Sequence, residues 1–311
     1  MKYLKQKIKK LSFFRYFIYT FLHPHIKTKI LNSNINRYYS NINKSLETFK
    51  KIPQIPNLII SLTSFPARMD YIEYTLFSLI KQTIRPQKII LWLSLEEFPN
   101  KEKDISDNLL RYNQFGLEIN FVNENIKSFK KLVFAIKEYP ENVIVTSDDD
   151  VYYKPDWLYL LFITHKLNPK DIISHKIHRI SFSNKTIKPY LKWKNYPSNV
   201  SFLNFFVGYG GVLYPPGSLF KDVTNTALFL SLCPTADDIW FYTMALLNNT
   251  RIRKIKVCIK KCFPIDYELT ENWKNVPSLM DINWINNKND IQLKAVLEHY
   301  SLYDKFYDKY A

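Results

Sequence analysis

Asp148, Asp149 and Asp150 stand together directly after the β-branched run Val143, Ile144, Val145 and the hydroxyl pair Thr146, Ser147. A run of that kind suits a strand buried on both faces, so the three carboxylates fall at the mouth of a buried strand. Two ionised carboxylates about 5 Å apart repel by ~3 kcal/mol at an effective dielectric of about 20. The triplet therefore calls for a cation, a proton or full solvation. Oxygen-only ligands suit a hard divalent ion such as Mg²⁺ or Mn²⁺. On an extended chain Asp148 and Asp150 share one side, and Asp149 points to the other. The aromatic residues that follow, Tyr152, Tyr153 and Trp157, set this stretch apart from a plain solvated turn.

A second acidic pair, Asp237 and Asp238, lies in CPTADDIWF and opens a helix that continues through Met244 and Leu247. Acids in a first helical turn also serve as caps. Between the two acidic motifs, FFVGYGGVLYPPGSL holds Gly208, Gly210, Gly211 and Gly217, four of the five glycines in the chain. Glycine permits positive φ and a close approach of a ligand to the backbone. Cys258 and Cys262 stand four apart without a second ligand pair nearby, so no metal site is expected of them.

The elements that must position these motifs alternate. Leu58–Leu62 reads as a strand, and Thr63–Arg68 as a turn. Asp70 and Glu73 stand at capping-box spacing before Ile72, Leu76, Leu79 and Ile80, which recur with helical period. Strands follow at Lys88–Leu93 and Leu117–Val122, then a helix over Lys127–Tyr139 ended by Pro140, then the strand Val143–Thr146. Alternation of this kind implies right-handed βαβ units and a parallel sheet, with ligands at the carboxyl ends of its strands. No Gly-x-Gly-x-x-Gly and no P-loop occurs, which disfavours NAD enzymes and P-loop kinases. The basic–apolar alternation of Arg251–Lys261 predicts a one-sided strand. Leu293, Val296, Leu297 and Tyr300 predict one face of a closing helix over Asp290–Tyr300.

The 311 residues are 46% hydrophobic and 16% aromatic, which excludes a disordered chain. A net charge of +16 calls for an anionic partner. Ten lysines and arginines precede the first acid, Glu47, so most of the excess sits in the N-terminal segment. Its run Leu11–Leu22, LSFFRYFIYTFL, is too short to span a bilayer, carries Arg15 and lacks a following cleavage site. We expect an amphipathic helix on an anionic membrane through residues 1–29, joined to the body by a polar, Asn-rich connector over Asn32–Gln54. Three cysteines, an odd number, point to a reducing compartment. The expected division is a tail and connector over 1–54, a first α/β half over 55–158, a second half over 159–265 and a helical segment over 266–311.

Taken together, SLTSFPAR, LFSLIKQTIRPQKIILWLS, KSFKKLVFAIKEYP, VTSDDDVYYKPDWL, GYGGVLYPPGSL and PTADDIWF resemble the GT-A glycosyltransferases, in particular the family 2-like bacterial enzymes of lipooligosaccharide and capsule synthesis. The resemblance spans about Pro56 to Thr250. It implies a Rossmann-like, mostly parallel sheet flanked by helices, and an enzyme that moves a sugar from a nucleotide sugar, in the first place a UDP-sugar, to a hydroxyl of a glycan or glycolipid. It implies that Asp148 and Asp150 hold Mn²⁺ or Mg²⁺ on the donor diphosphate. Thr63, Arg68, Lys131, Asp148 and Asp149 would lie along the donor site, and Gly210, Gly211 and Trp193 on the acceptor side. Asp238 matches the catalytic base of inverting members, with Asp237 beside it where many members have Glu. The resemblance also implies a cytoplasmic protein, peripheral at the inner face of the membrane. Two other readings stand beside it. A two-metal nucleotidyl or phosphoryl transferase needs further acids, for which Glu96, Glu97 and Glu124 are available. A basic nucleic-acid module needs a basic stripe across the folded body, whereas the excess charge here is N-terminal and no nucleic acid is expected.

Overall fold

In the computed structural model of the chain, residues 24–195, 200–256, 263–264, 283, 287–304 and 306–311 are described. Seven strands form the central sheet: β1 (Leu58–Thr63), β2 (Lys88–Ser94), β3 (Leu117–Val122), β4 (Val143–Thr146), β5 (Ile172–Ser174), β6 (Val212–Tyr214) and β7 (Ile252–Lys254). Their order is β7-β5-β6-β4-β1-β2-β3. All neighbours pair parallel except β6, which runs antiparallel to both β4 and β5. Helices cover both faces, so the fold is the mostly parallel α/β sheet that the sequence implied.

The strands sort their side chains with period two. Ile59, Ile90, Trp92, Ile144, Ile172 and Val212 face one layer, which holds α4 (Lys130–Glu138), α6 (Asp237–Leu247) and α7 (Lys288–His299). Leu58, Ile60, Ile89, Leu91, Val145, Ile173 and Leu213 face the other, which holds α1 (Pro24–Ser40), α2 (Ile42–Lys50), α3 (Ile72–Ile80) and α5 (Trp157–Leu167). Burial on both faces is why these strands carry unbroken apolar runs.

Two expectations change. The Asn-rich stretch is not a connector: α1 and α2 dock on the body through Ile35, Tyr38, Tyr39 and Phe49, and the Arg111 guanidinium lies 3.5 Å above the Tyr39 ring. Leu31, Ile35 and Tyr38, then Ile42, Leu46 and Phe49, recur at helical spacing beneath the polar residues that mask it. Asp70 caps nothing, because α3 starts after Tyr71 without a side-chain cap, and Glu73 pairs with Arg111 instead. Of the expected basic strand Arg251–Lys261, Ile252–Lys254 form β7, and residues 257–261 lie outside the described residues. Residues 1–23, with the membrane segment, and Cys258 and Cys262 lie outside the described residues, and no described helix is long and apolar enough to cross a membrane.

Candidate active site

Register brings the acidic triplet onto β1. Ser61 lies opposite Thr146, so Ser64 and Asp149 each stand three residues beyond that pair, at the carboxyl ends of adjacent parallel strands. There Ser64 Oγ donates to Asp149 at 2.6 Å, Arg68 also bonds it, and Thr75 Oγ1 donates to the Asp149 carbonyl at 2.8 Å. Arg68 also lies 2.9 Å from Asp150. Asp149 is therefore the buried, structural member of the triplet, while Asp148 and Asp150 stay partly open. The Asp148 N–H donates to Tyr153 Oη at 2.9 Å, which fixes the loop's exit.

Antiparallel β6 begins where parallel β4 ends, with Val212 opposite Thr146. The glycine loop Gly208–Gly211, just ahead of Val212, must therefore sit at the same end of the sheet as the carboxylates. The start of α6 joins it: the Gly208 N–H donates to Asp238 at 2.9 Å. A Cβ on Gly208 would come within 2.9 Å of that carboxylate, so only glycine permits this approach. The Gly210 carbonyl accepts from Trp157 Nε1 at 2.8 Å.

Gly211 has φ +86°, and a Cβ there would collide with the indole of Trp157. Gly217 also has positive φ, at +64°, but nothing lies within 4 Å of its would-be Cβ. Backbone strain alone is expected to cost Gly217→Ala about 1–2 kcal/mol. Gly211→Ala adds overpacking, for a total of about 3–5 kcal/mol. Urea unfolding of both variants checks this, and equal midpoints would show that the Trp157 contact does not limit the loop.

Lys131 joins the two acidic motifs. It stands in the first turn of α4, whose start is held under β1 by a hydrogen bond from Ser61 Oγ to the Lys131 carbonyl. Its ammonium is 2.7 Å from Asp148 and 3.1 Å from Asp237. Burial opposes that charge, but Asp148, Asp237 and Asp238 outweigh it and hold the lysine well above its ordinary pKa. Asp238 is pushed up to about 7, chiefly by the protein packed around it and then by Asp237, while Lys131 and the Gly208 N–H pull the other way. The two neighbours thus take different parts: Asp237 pairs with the ammonium, and Asp238 faces the glycine loop.

The remaining expected site residues fall as follows. Thr63 ends β1 beside the site, with its hydroxyl donating to the Trp92 carbonyl at 2.7 Å. Arg68 and Lys131 lie at the site, where both are paired with its carboxylates. Trp193 is 6% exposed, donates to the Lys188 carbonyl at 2.8 Å and packs on Phe205, so its ring is core and presents no open face to a sugar. Its half-buried neighbour Tyr190 has a hydroxyl that feels the charge of Asp238, as does that of the buried Tyr214. Sequence reasoning missed Ser64, Thr75 and Tyr190, and read Tyr153 only as part of the aromatic flank of the acidic triplet. Of the missed residues Ser64 alone carried a signal, as part of SLTSFPAR. Glu97 pairs with Lys130 and accepts from Ser94, and among the described residues no three His, Cys, Asp or Glu side chains gather into a metal-sized cluster. The two-metal reading thus lacks its extra ligands there.

Fold and site define an α/β protein with a cluster of paired charges at the carboxyl ends of a mostly parallel sheet, beside the one antiparallel strand of that sheet. No protein-family model matches the chain, and no curated protein matches it in sequence. Solved structures resemble it distantly. Residues 1–349 of S. aureus TarS share 16% identity over 78% of this chain and 72% of that one, with a TM-score of 0.43. The same TarS segment in complex with UDP-GlcNAc gives 15% identity, the same coverage and a TM-score of 0.42. HddC from Yersinia pseudotuberculosis shares 16% identity over 54% of this chain and 78% of that one, with a TM-score of 0.32.

Proposed function

We propose that this chain is a metal-dependent, inverting glycosyltransferase that moves a sugar from a nucleotide sugar, UDP-linked in the first place, to a hydroxyl of a bacterial surface glycan such as lipooligosaccharide or capsule. One observation carries the reading: Lys131 spans an acidic loop and a second acidic pair whose Asp238 has a raised pKa and faces a glycine loop. Glycosyl transfer needs these two functions on opposite sides of one anomeric carbon. Negative charge must be neutralised on the departing diphosphate, and a carboxylate must take the proton of the attacking hydroxyl.

Asp148 and Asp150 suit a hard divalent ion, since Mg²⁺ is commonly held by one or two carboxylates with substrate phosphates completing its shell. When bound, such an ion supplies Lewis-acid stabilisation of the leaving diphosphate. Arg68 neutralises Asp149 and also reaches Asp150, while Lys131 reaches Asp148, so a bound ion would share its two carboxylates with these cations. Asp238 accepts the acceptor proton, and the Gly208 N–H orients its carboxylate. Gly210 and Gly211 pack directly against Lys176 and Trp157, which seats the loop beside which donor sugar and acceptor would meet. The acceptor hydroxyl attacks from the side opposite the nucleotide, so one displacement inverts the anomeric centre.

A thermal-shift and hydrolysis screen of nucleotide sugars, with and without Mn²⁺, tests the assignment. The expected result is stabilisation by a UDP-sugar that strengthens with Mn²⁺ and is lost in EDTA. A shift that EDTA leaves untouched would remove the metal from the proposal. No shift and no hydrolysis with any nucleotide sugar would remove the enzyme class.

A further inference from the structure

Six large apolar side chains among the described residues are a third or more exposed, and three share one helix: Tyr159 at 43%, Ile163 at 36% and Leu167 at 76%. They stand four residues apart on α5, within an arc of about 80°. The opposite side of α5 is already buried through Trp157, Leu158, Leu161 and His165. Folding needs one apolar face on this helix, and the sequence supplies two.

Charge points to what covers the second face. No acid occurs in α5, WLYLLFITHKL. Lys166 is exposed on the same side as the stripe, and Lys170 follows the helix end. The next residue, Asp171, is buried beneath Arg251 and Arg253, and the Arg251 side chain is 53% exposed. Apolar side chains with cations gathered at one end match a bilayer surface carrying anionic headgroups. The same layer holds α1. Between α1 and α5 lie α3 and the residues just after it: Tyr74 of α3 donates to Asn32 of α1 at 2.8 Å, and Gln82, past the end of α3, accepts from the Leu158 N–H at 2.9 Å. The basic, aromatic sequence LSFFRYFIYTFL leads into α1.

We propose that the outer face of α5 is a membrane-docking surface. Tyr159, Ile163 and Leu167 enter the boundary between headgroups and acyl chains of an anionic bilayer, and Lys166, Lys170 and Arg251 meet its phosphates. Trp157, at the start of the same helix, bonds the Gly210 carbonyl, so docking holds the glycine loop near the bilayer. This surface stands independently of the reaction proposed above.

The test sediments the full-length protein with vesicles of phosphatidylcholine alone or mixed with phosphatidylglycerol. The comparison is the triple variant Tyr159→Ser, Ile163→Ser, Leu167→Ser. Its partitioning onto anionic vesicles is expected to fall by about tenfold or more. Its melting temperature and its donor response should stay those of the parent, since all three side chains point outward. Lys166→Glu with Lys170→Glu should weaken binding to anionic vesicles and leave neutral ones unchanged. Unchanged partitioning of the triple variant would overturn the proposal and leave the N-terminal segment as the whole anchor. Stronger partitioning would overturn it too, because that segment would then have been covering the stripe. So would loss of a dimer at unchanged vesicle affinity, which would make the occupant a second copy of the chain.

Discussion

Asp238→Asn is expected to lower turnover by about 10²–10⁴-fold, the range for a positioned general base. The substituted amide keeps an oxygen to accept the Gly208 N–H, so the glycine loop should hold its place. Stability should hold or rise, because burial and the neighbouring Asp237 both disfavour charge on this carboxylate. Donor affinity should survive, since the acidic loop is untouched. The wild-type enzyme carries its own signature. A base must be ionised to act, so kcat/KM should climb as pH rises through about 7, the value to which Asp238 is pushed. That ascending limb should vanish in Asp238→Asn. Asp237→Asn should cost less in rate and more in stability, because its carboxylate is the one paired with Lys131. Single-turnover rates, donor affinity and the product's anomeric configuration by NMR are the measurements. A near-normal rate in Asp238→Asn, or a product that keeps the donor's configuration, would end the assignment.

Lys131→Met is the second substitution with a large expected effect. It removes the one ammonium that meets both acidic motifs and leaves Asp148 and Asp237 without it. Removing one partner of a buried ion pair costs about 3–5 kcal/mol. Asp148 and Asp237 are each partly open to solvent, so the lower end of that range is expected. The urea midpoint should fall accordingly. The same change should move the ascending pH limb upward, since Lys131 pulls the Asp238 pKa down and its loss leaves only the Gly208 N–H against burial and Asp237. A stability loss with an unmoved limb would restrict Lys131 to holding the fold. An unmoved midpoint would show that solvent already neutralises both acidic motifs.

Much of this protein is local and therefore legible. The strands at 58–63, 88–94 and 143–146 follow from apolar runs that only two-sided burial explains, the edge strand 117–122 from the alternation in LEINFV, and α3, α4 and α6 from helical periodicity. The acidic triplet at a strand mouth, the concentration of glycine in one loop and the acidic start of α6 are likewise readable along the chain. What the chain alone could not decide is who meets whom. The Asn-rich stretch read as a connector because its polar residues outnumber the apolar stripe that docks α1 and α2 against Phe77 and Phe115. Trp193 read as an acceptor-side residue because nothing local distinguishes a buried indole from an exposed one. Asp148 and Asp150 read as the matched pair of the triplet. Parallel register then placed Asp149 against Ser64 and Arg68, and α4 placed Lys131 against Asp148. The separate parts of Asp237 and Asp238 arise only where the reversed strand β6 delivers Gly208 to the start of α6. Periodicity is set by each residue's own burial and so is written along the chain. Pairing of charges depends on strand order and register, which the whole sheet decides.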